Sequence, residues 1–333
     1  MNPLLQMIPS LLRRKLSWGL FALACAPLAP VAAQTASKPI KVVIPFAPGG
    51  GQDGIGRYFA NQLTNRMGLS FIVENKTGAG GVIAADQVAK ATPDGTTLFL
   101  ATGGAISIAP HLMSKMPYQA RQDFVSIAMV ADTPMAVAVR TSSPYRTLPD
   151  LVKAAKAQPE QITYASTGNG TVSHLTGELF AQAVGIKLSH VPYRGAAPAI
   201  VDVASGQIES IVTSAASLET MVAGGKMRVL ATFTAAPIPH LAGVPTVQQA
   251  TGEAGLVVPV WVGFMAPAKT PPAFVQRLSA ELMAICQMPE TQKRLLESGA
   301  QAACAGTADF DRVIAEDSQR WKRVIQRGNI KAE

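Results

Sequence analysis

The chain has 333 residues, 48% of them hydrophobic and 15% charged, with 28 Gly, 24 Pro and a mean hydropathy of +0.22. This excludes an intrinsically disordered chain, which is charge-rich and apolar-poor, and the length implies two domains or one large α/β unit, either able to bury a full core without metals or staples. The 29 Lys and Arg against 21 Asp and Glu give +8, but no basic stripe interleaved with aromatics supports nucleic-acid binding.

Residues 1–33 read as a secretory signal. A basic cluster, Arg13-Arg14-Lys15, precedes an apolar stretch from Leu16 to Cys25, and Val31-Ala32-Ala33 offers small residues for cleavage before Gln34. The apolar run is well short of the about 20 residues that span a membrane. Two variants of the signal are weaker. Ala22-Leu23-Ala24-Cys25 resembles a lipoprotein box with its Leu one place late, and Arg13-Arg14 resembles a twin-arginine signal interrupted by Ser17. Without the three basic residues of the leader the remaining chain is only mildly basic. It keeps Cys286 and Cys304, 18 positions apart, and an oxidising compartment permits a disulfide between them. There is no Cys-x-x-Cys and no His-x-x-x-His, and His111, His174, His190 and His240 are scattered, so neither a metal nor a cofactor is expected.

Further along, Lys41 to Phe46 is a short apolar strand, followed by a glycine turn and a helix from Gln52 to about Met67. The unit repeats: a strand over Ser70 to Asn75, the glycine turn Gly78-Ala79-Gly80-Gly81, a helix from Val82 to Ala91 and a strand over Thr96 to Thr102. Strands alternating with helices predict βαβ crossovers and a mainly parallel sheet flanked by helices. The middle of the chain repeats the theme. Its predicted strands are Gln161 to Ser166, Lys187 to Tyr193, Glu209 to Ser214 and Arg228 to Thr234, with helices near 148–157, 173–184, 195–204 and 216–223. Two extended apolar segments flank this second lobe, Met129 to Arg140 and Val257 to Ala266. If both pass between lobes, the first lobe is discontinuous. C-terminal helices begin at Pro271-Pro272 and at Pro289 and run to about Gln287 and Ser298. A last one, capped by Thr307, carries Phe310, Ile314 and Trp321 on a stripe expected to pack against the sheet.

Gly49-Gly50-Gly51-Gln52-Asp53-Gly54 satisfies G-x-G-x-x-G, with Glu74 at a strand end 20 residues on, which on pattern alone is a dinucleotide fingerprint. Pro45-Phe46-Ala47-Pro48 displaces the first glycine from the strand, where that fingerprint needs an immediate tight turn. The dinucleotide-dependent enzyme is therefore the weakest reading. The physics survives without the nucleotide: a helix start presents unpaired N–H groups and a positive dipole end to any anion. Ser166 to His174 makes a second turn of this kind in the second lobe, rich in hydroxyls. Ser166 and His174 could suggest a nucleophile and base, but there is no Gly-x-Ser-x-Gly elbow, and His174 in a first helical turn reads as a capping residue. No catalytic residue is assigned.

Ile44-Pro45-Phe46-Ala47-Pro48-Gly49-Gly50 with Asp53, Val73 to Gly81 and Pro93-Asp94-Gly95 closely resemble the Bug family, the periplasmic solute receptors of tripartite tricarboxylate transporters. So do Ser166 to Leu175, His190-Val191-Pro192-Tyr193-Arg194-Gly195, Val244-Pro245-Thr246 and Trp261 to Pro267. The resemblance runs from about Pro39 to Lys331. Thr171 stands where the family often has Ser, and Arg194 where Lys is commoner.

This resemblance implies a two-lobed periplasmic binding protein fold of type II, with two crossing strands. It sets the first lobe at 39–138 and 260–333 and the second at 139–259. It implies capture of an amino acid, a di- or tricarboxylate or an aromatic carboxylate for a tripartite tricarboxylate-type transporter. An alternative is a receptor that engages a periplasmic sensor kinase domain, and a monomer is the default. Carried over by position, the first-lobe contacts are Phe46, Pro48, Gly49, Gly50, Asp53 and Thr102. The second-lobe contacts are Ser166, Thr167, Gly168, Gly170, Thr171, Ser173 and His174, followed by Tyr193, Arg194 and Asp202. Asp53 is offered as the partner of a ligand ammonium.

Overall fold

In a computed structural model the described residues are 38–239, 241–328 and 330. The expected leader and His240 lie outside them. Strands with apolar side chains on both faces must be covered on both faces, and β1 (Ile40–Ile44) shows the rule. Its Val42 enters one core, with Phe59 and Leu63 of α1 (Gly51–Met67), while Val43 enters another, with Ala84, Ala85 and Val88 of α2 (Val82–Ala89).

The first sheet joins β1 to β2 (Phe71–Asn75), β3 (Thr97–Thr102), β4 (Phe124–Asp132), β10 (Trp261–Pro267) and β11 (Gln301–Gly306), in the order β11-β4-β10-β3-β1-β2. The second contains β5 (Met135–Arg140), β6 (Thr163–Ser166), β7 (Ser189–Pro192), β8 (Ser210–Ser214) and β9 (Met227–Thr232), in the order β7-β6-β8-β5-β9. The βαβ strands pair parallel, as their alternation with helices predicts. β10 and β5, each arriving from the other lobe, insert antiparallel, and β11 pairs antiparallel with β4, so both sheets are mixed rather than mainly parallel as the alternation predicts.

The apolar segment Met129 to Arg140 is two strands, broken at Thr133-Pro134, where the chain passes from the first sheet to the second. The return passes through residues 257–260, and β10 begins only at Trp261. The two crossings lie side by side: Thr133 N–H donates to the Val260 carbonyl at 2.8 Å, and Val260 N–H donates to Asp132 Oδ1 at 2.8 Å.

The second sheet is covered on one face by α4 (Leu148–Ala157), α5 (Val172–Val184) and α8 (Val247–Thr251), and on the other by α6 (Ala196–Ser205) and α7 (Ala215–Ala223). The remaining helices are α3 (Ala109–Leu112), entered through a π-turn over Gly104–Ile108, α9 (Pro272–Gln287), α10 (Pro289–Glu297) and α11 (Thr307–Gly328). The apolar stripe of α11 serves both lobes. Phe310 and Ile314 pack on the first sheet, but Trp321 and Ile325 join the second lobe's core with Ile108, Val172 and Leu175.

Strand β11 has no counterpart among the predicted elements. Gln-Ala-Ala-Cys-Ala-Gly lacks the β-branched and aromatic residues that mark a strand, and here the edge of the sheet imposes the conformation. Cys304 of β11 is bonded to Cys286 near the end of α9, with the sulfurs 2.03 Å apart. No helix among the described residues is long and apolar enough to cross a membrane.

Candidate functional site

Ligands of open α/β sheets bind beyond the carboxyl ends of the strands, and here two rows of strand ends face one another. The first lobe contributes Phe46 to Asp53 after β1, Gly78 to Gly81 after β2, and Thr102 to Ala105 after β3. The second contributes Ser166 to His174 after β6, Tyr193 to Ala197 after β7, and Ser214 to Ser217 after β8. The rows touch. Ala47 N–H donates to the Arg194 carbonyl at 3.3 Å, Gly51 N–H to Ser217 Oγ at 3.1 Å, and Gln52 Nε2 to Ser214 Oγ at 3.4 Å. Gly80, at φ +63°, lies so near the second lobe that a Cβ there would stand 2.8 Å from the Asn169 carbonyl. The lobes are thus closed on each other.

The helix starts around this cleft are unusually bare. α1 begins after Gly50, α6 after Gly195 and α7 after Ser214, and none of the three has a side-chain cap. The first-turn amides of a helix have no intrahelical partner. Gly51 N–H is taken by Ser217 Oγ and Ala215 N–H by the Pro134 carbonyl at 2.7 Å. The amides that follow them in α1 and α7, with those that open α6, have no side-chain cap and remain as donors at the cleft. α5 differs, since Thr171 Oγ1 accepts from His174 N–H at 3.3 Å.

Around the first-lobe loop, the Asp53 carboxylate is buried and fully engaged. Its Oδ2 accepts from Gly49 N–H at 3.0 Å and Arg57 Nε at 2.9 Å, and its Oδ1 accepts from Asn75 Nδ2 at 2.7 Å. Burial alone would raise its pKa, but the hydrogen bonds from Arg57, Asn75 and Gly49 outweigh it and hold the carboxyl below the usual range. The sequence offered Asp53 to a ligand ammonium; in the structure these protein donors occupy both of its oxygens. Phe46 is buried in the core, and its carbonyl accepts from Asn75 Nδ2 at 2.9 Å. Pro48 and Gly49 are exposed on the loop, Gly50 is buried at the start of α1, and Thr102 is buried at the end of β3. Glu74, the acid of the apparent dinucleotide pattern, accepts from Gln87 and pairs with Lys41.

The second-lobe loop is a mesh of its own side chains. Thr167 N–H donates to Ser173 Oγ, Thr167 Oγ1 to Thr171 Oγ1, Thr171 Oγ1 to the Gly168 carbonyl, and Gly170 N–H to His174 Nδ1. Ser166 Oγ accepts from Gly168 N–H and sits 2.6 Å from Nε2 of His190, a residue the sequence reading gave no role. His190 is sandwiched between the rings of Tyr164 and His174, with centroids 4.9 and 4.1 Å away. Burial and the neighbouring His174 lower its pKa to about 3. A general base works best with a pKa near the operating pH, so the Ser166–His190 pair is poorly suited to activate a nucleophile. Tyr193 and Asp202 hold each other, phenol to carboxylate at 2.6 Å, which raises the tyrosine to about 12 through burial and this bond. The Arg194 side chain is exposed, and it is its carbonyl that meets the first lobe.

Arg57, Asn75, Ser214 and Ser217 also lacked a role in the sequence reading. Asn75 lies inside a quoted motif, but what it touches depends on how β2 abuts the loop after β1. Among the described residues, no three His, Cys, Asp or Glu side chains gather as a metal site requires.

The family described as "Tripartite tricarboxylate transporter family receptor" matches residues 55–330. The chain belongs to this family. The receptor is 30% identical over 315 residues to Protein BugT of Bordetella pertussis, covering 94% of this chain and 96% of that one. Among solved structures it resembles R. palustris Rpa4515 with adipate, at a TM-score of 0.86 and 29% identity, covering 89% of this chain and 98% of that one. It also resembles the periplasmic binding protein BugD, at a TM-score of 0.85 and 30% identity, with 89% and 99% covered. The receptor accordingly has the two-lobed periplasmic binding protein fold.

Proposed function

We propose that this receptor captures a small carboxylated solute between its lobes in the periplasm and presents it, closed, to the membrane subunits of a tripartite tricarboxylate-type transporter. The observation that carries this reading is the convergence of three uncapped helix starts, α1, α6 and α7, on one interlobe cleft. Such amides, together with the dipoles behind them, favour an anion, and charge-assisted N–H donation away from bulk water supplies both affinity and preference for anions. The relative Rpa4515, seen with adipate, supports a carboxylate. In this reading the residues in contact with the ligand come from Phe46 to Asp53, Thr102 and Ser166 to His174, and Tyr193 with Asp202 shapes the second-lobe wall.

Capture needs no chemical step. The lobes rotate about the paired crossings at Thr133-Pro134 and 257–260, and the solute favours closure because it binds the closed form better. The leader read at 1–33 supports delivery to the periplasm.

The test is a thermal-shift screen of the protein from Gln34, refolded to strip carried-over ligand, against adipate, shorter and longer dicarboxylates, amino acids and aromatic carboxylates. A ligand at 100 times its Kd adds about 2.7 kcal/mol of stability. A selective shift by one carboxylate is the expected result. A folded protein that shifts with none of them contradicts the reading.

A further inference from the structure

An anion-binding loop built over a buried carboxylate poses an electrostatic problem. Asp53 is only 3% exposed and lies in the first turn of α1, directly beneath the glycine loop. Left unneutralised, its charge would oppose the approach of the carboxylate that the bare helix starts favour. The structure supplies a closed ring of side chains around it. Arg57 Nε donates to Asp53 Oδ2, Arg57 Nη2 donates to Asn75 Oδ1 at 2.7 Å, and Asn75 Nδ2 donates to Asp53 Oδ1. The ring is tied to both ends of the arch above it, through Asn75 Nδ2 to the Phe46 carbonyl and Gly49 N–H to Asp53 Oδ2. Three elements are thereby joined: the end of β2, the first turns of α1 and the loop between β1 and α1. Lys76 N–H, donating to the Ile44 carbonyl at 2.8 Å, fixes the end of β2 against the end of β1.

We propose that Arg57 and Asn75 are positioning residues for carboxylate capture: they hold and neutralise Asp53, which fixes the arch from Phe46 to Gly49 and removes a buried negative charge from the path of the anion. This rests on the carboxylate reading above. Neither residue needs to touch the solute. Arg57 has a half-exposed side chain, so its contribution to overall stability is small, whereas its effect on the loop is direct.

Two measurements test this. The first uses the ligand-free protein. Hydrogen exchange of peptides covering Phe46 to Asp53 rises about tenfold in Arg57→Leu and Asn75→Ala, while peptides from the second sheet do not change; unchanged loop exchange overturns the loop-fixing role. The second is calorimetry at low salt with adipate, a dianion, and hexanoate, a monoanion. Arg57→Leu weakens adipate about tenfold and hexanoate about threefold, because repulsion scales with ligand charge. Adding Asp53→Asn to Arg57→Leu restores most of that loss, and Arg57→Lys retains the preference for the dianion. An equal loss for both probes that Asp53→Asn does not restore, or no loss at all, overturns the neutralising role. If the unaltered protein binds neither probe, the same comparison uses the tightest carboxylate of the thermal-shift panel and its analogue with one carboxylate fewer or more. A folded protein that binds no carboxylate of the panel overturns that role together with the carboxylate reading, and the exchange result still decides whether the ring fixes the loop.

Discussion

Helices α4 and α1 begin in opposite ways. At α4, Thr147 Oγ1 accepts from Asp150 N–H, and Asp150 Oδ2 accepts from Thr147 N–H, a reciprocal capping box that α8 repeats with Thr246 and Gln249. At α1, α6 and α7, all opening onto the cleft, the N-cap residue's own side chain gives no cap, and at α1 it is Ser217 of the other lobe that accepts from Gly51 N–H. α9 and α10 reach a third solution by beginning on Pro272 and Pro289, which remove a donor. The protein therefore seals α4 and α8 away from the cleft, and of the helix starts at the cleft it caps α5 through Thr171 while leaving the N-caps of α1, α6 and α7 bare. A cap is worth about 1 kcal/mol, so bare helix starts forgo that stabilisation and leave donors for an anion.

The largest change expected at the open end is a block on closure. Gly51 opens α1, and a Cβ there would stand 2.9 Å from the backbone of Ala216 and Ser217. Gly51→Ala should weaken binding of the best carboxylate about a hundredfold by disfavouring the closed form. The helix itself gains from Ala in place of Gly, so the ligand-free melting temperature should hold steady or rise. Titration calorimetry beside thermal melts separates the two effects, and undiminished affinity would show that the contact at Gly51 is not part of the bound state.

A smaller effect concerns the second-lobe loop. The unfolded chain protonates His190 near 6.5 and the folded protein only near 3. Between those values the unfolded state holds more protons, so stability falls as the pH drops through the window. The slope from this one group is at most about 1.4 kcal/mol per pH unit. Thermal melts from pH 7 to pH 4 should be flatter in His190→Gln than in the unaltered protein; parallel curves would mean that His190 is not held neutral. The smallest change is at a sealed helix. Thr147→Ala should cost about 1 kcal/mol of stability and leave carboxylate affinity unchanged in the same calorimetry.

Much of the architecture was legible in sequence, because the βαβ rhythm, the glycine turns and the proline starts are local signals. The helix from Leu148 to Ala157 was read at the bounds the structure gives, since Thr147, Pro149 and Asp150 announce it. Strand β11 was not legible: Ala302, Ala303 and Ala305 have no strand pattern, and the conformation comes from the neighbouring edge of β4. The double duty of α11 was equally hidden, because a stripe of Phe310, Ile314 and Trp321 shows that a face is buried and not which core buries it.

For the site, the loops could be found but their internal wiring could not. The ring of Arg57, Asn75 and Asp53 joins residues up to 22 positions apart, and the Gly51–Ser217 contact spans 166. Neither spacing has a periodic signature, and both follow from how strands lie side by side and how lobes meet.

The most direct test of the contrast between open and sealed helix starts is backbone amide NMR of the protein titrated with its tightest carboxylate from the thermal-shift panel. Amides of Gln52, Asp53, Ala196 and Ala216 should shift on saturation, while those of Asp150 and Gln249 stay in place. Saturation that leaves the α1, α6 and α7 starts unmoved would contradict the account.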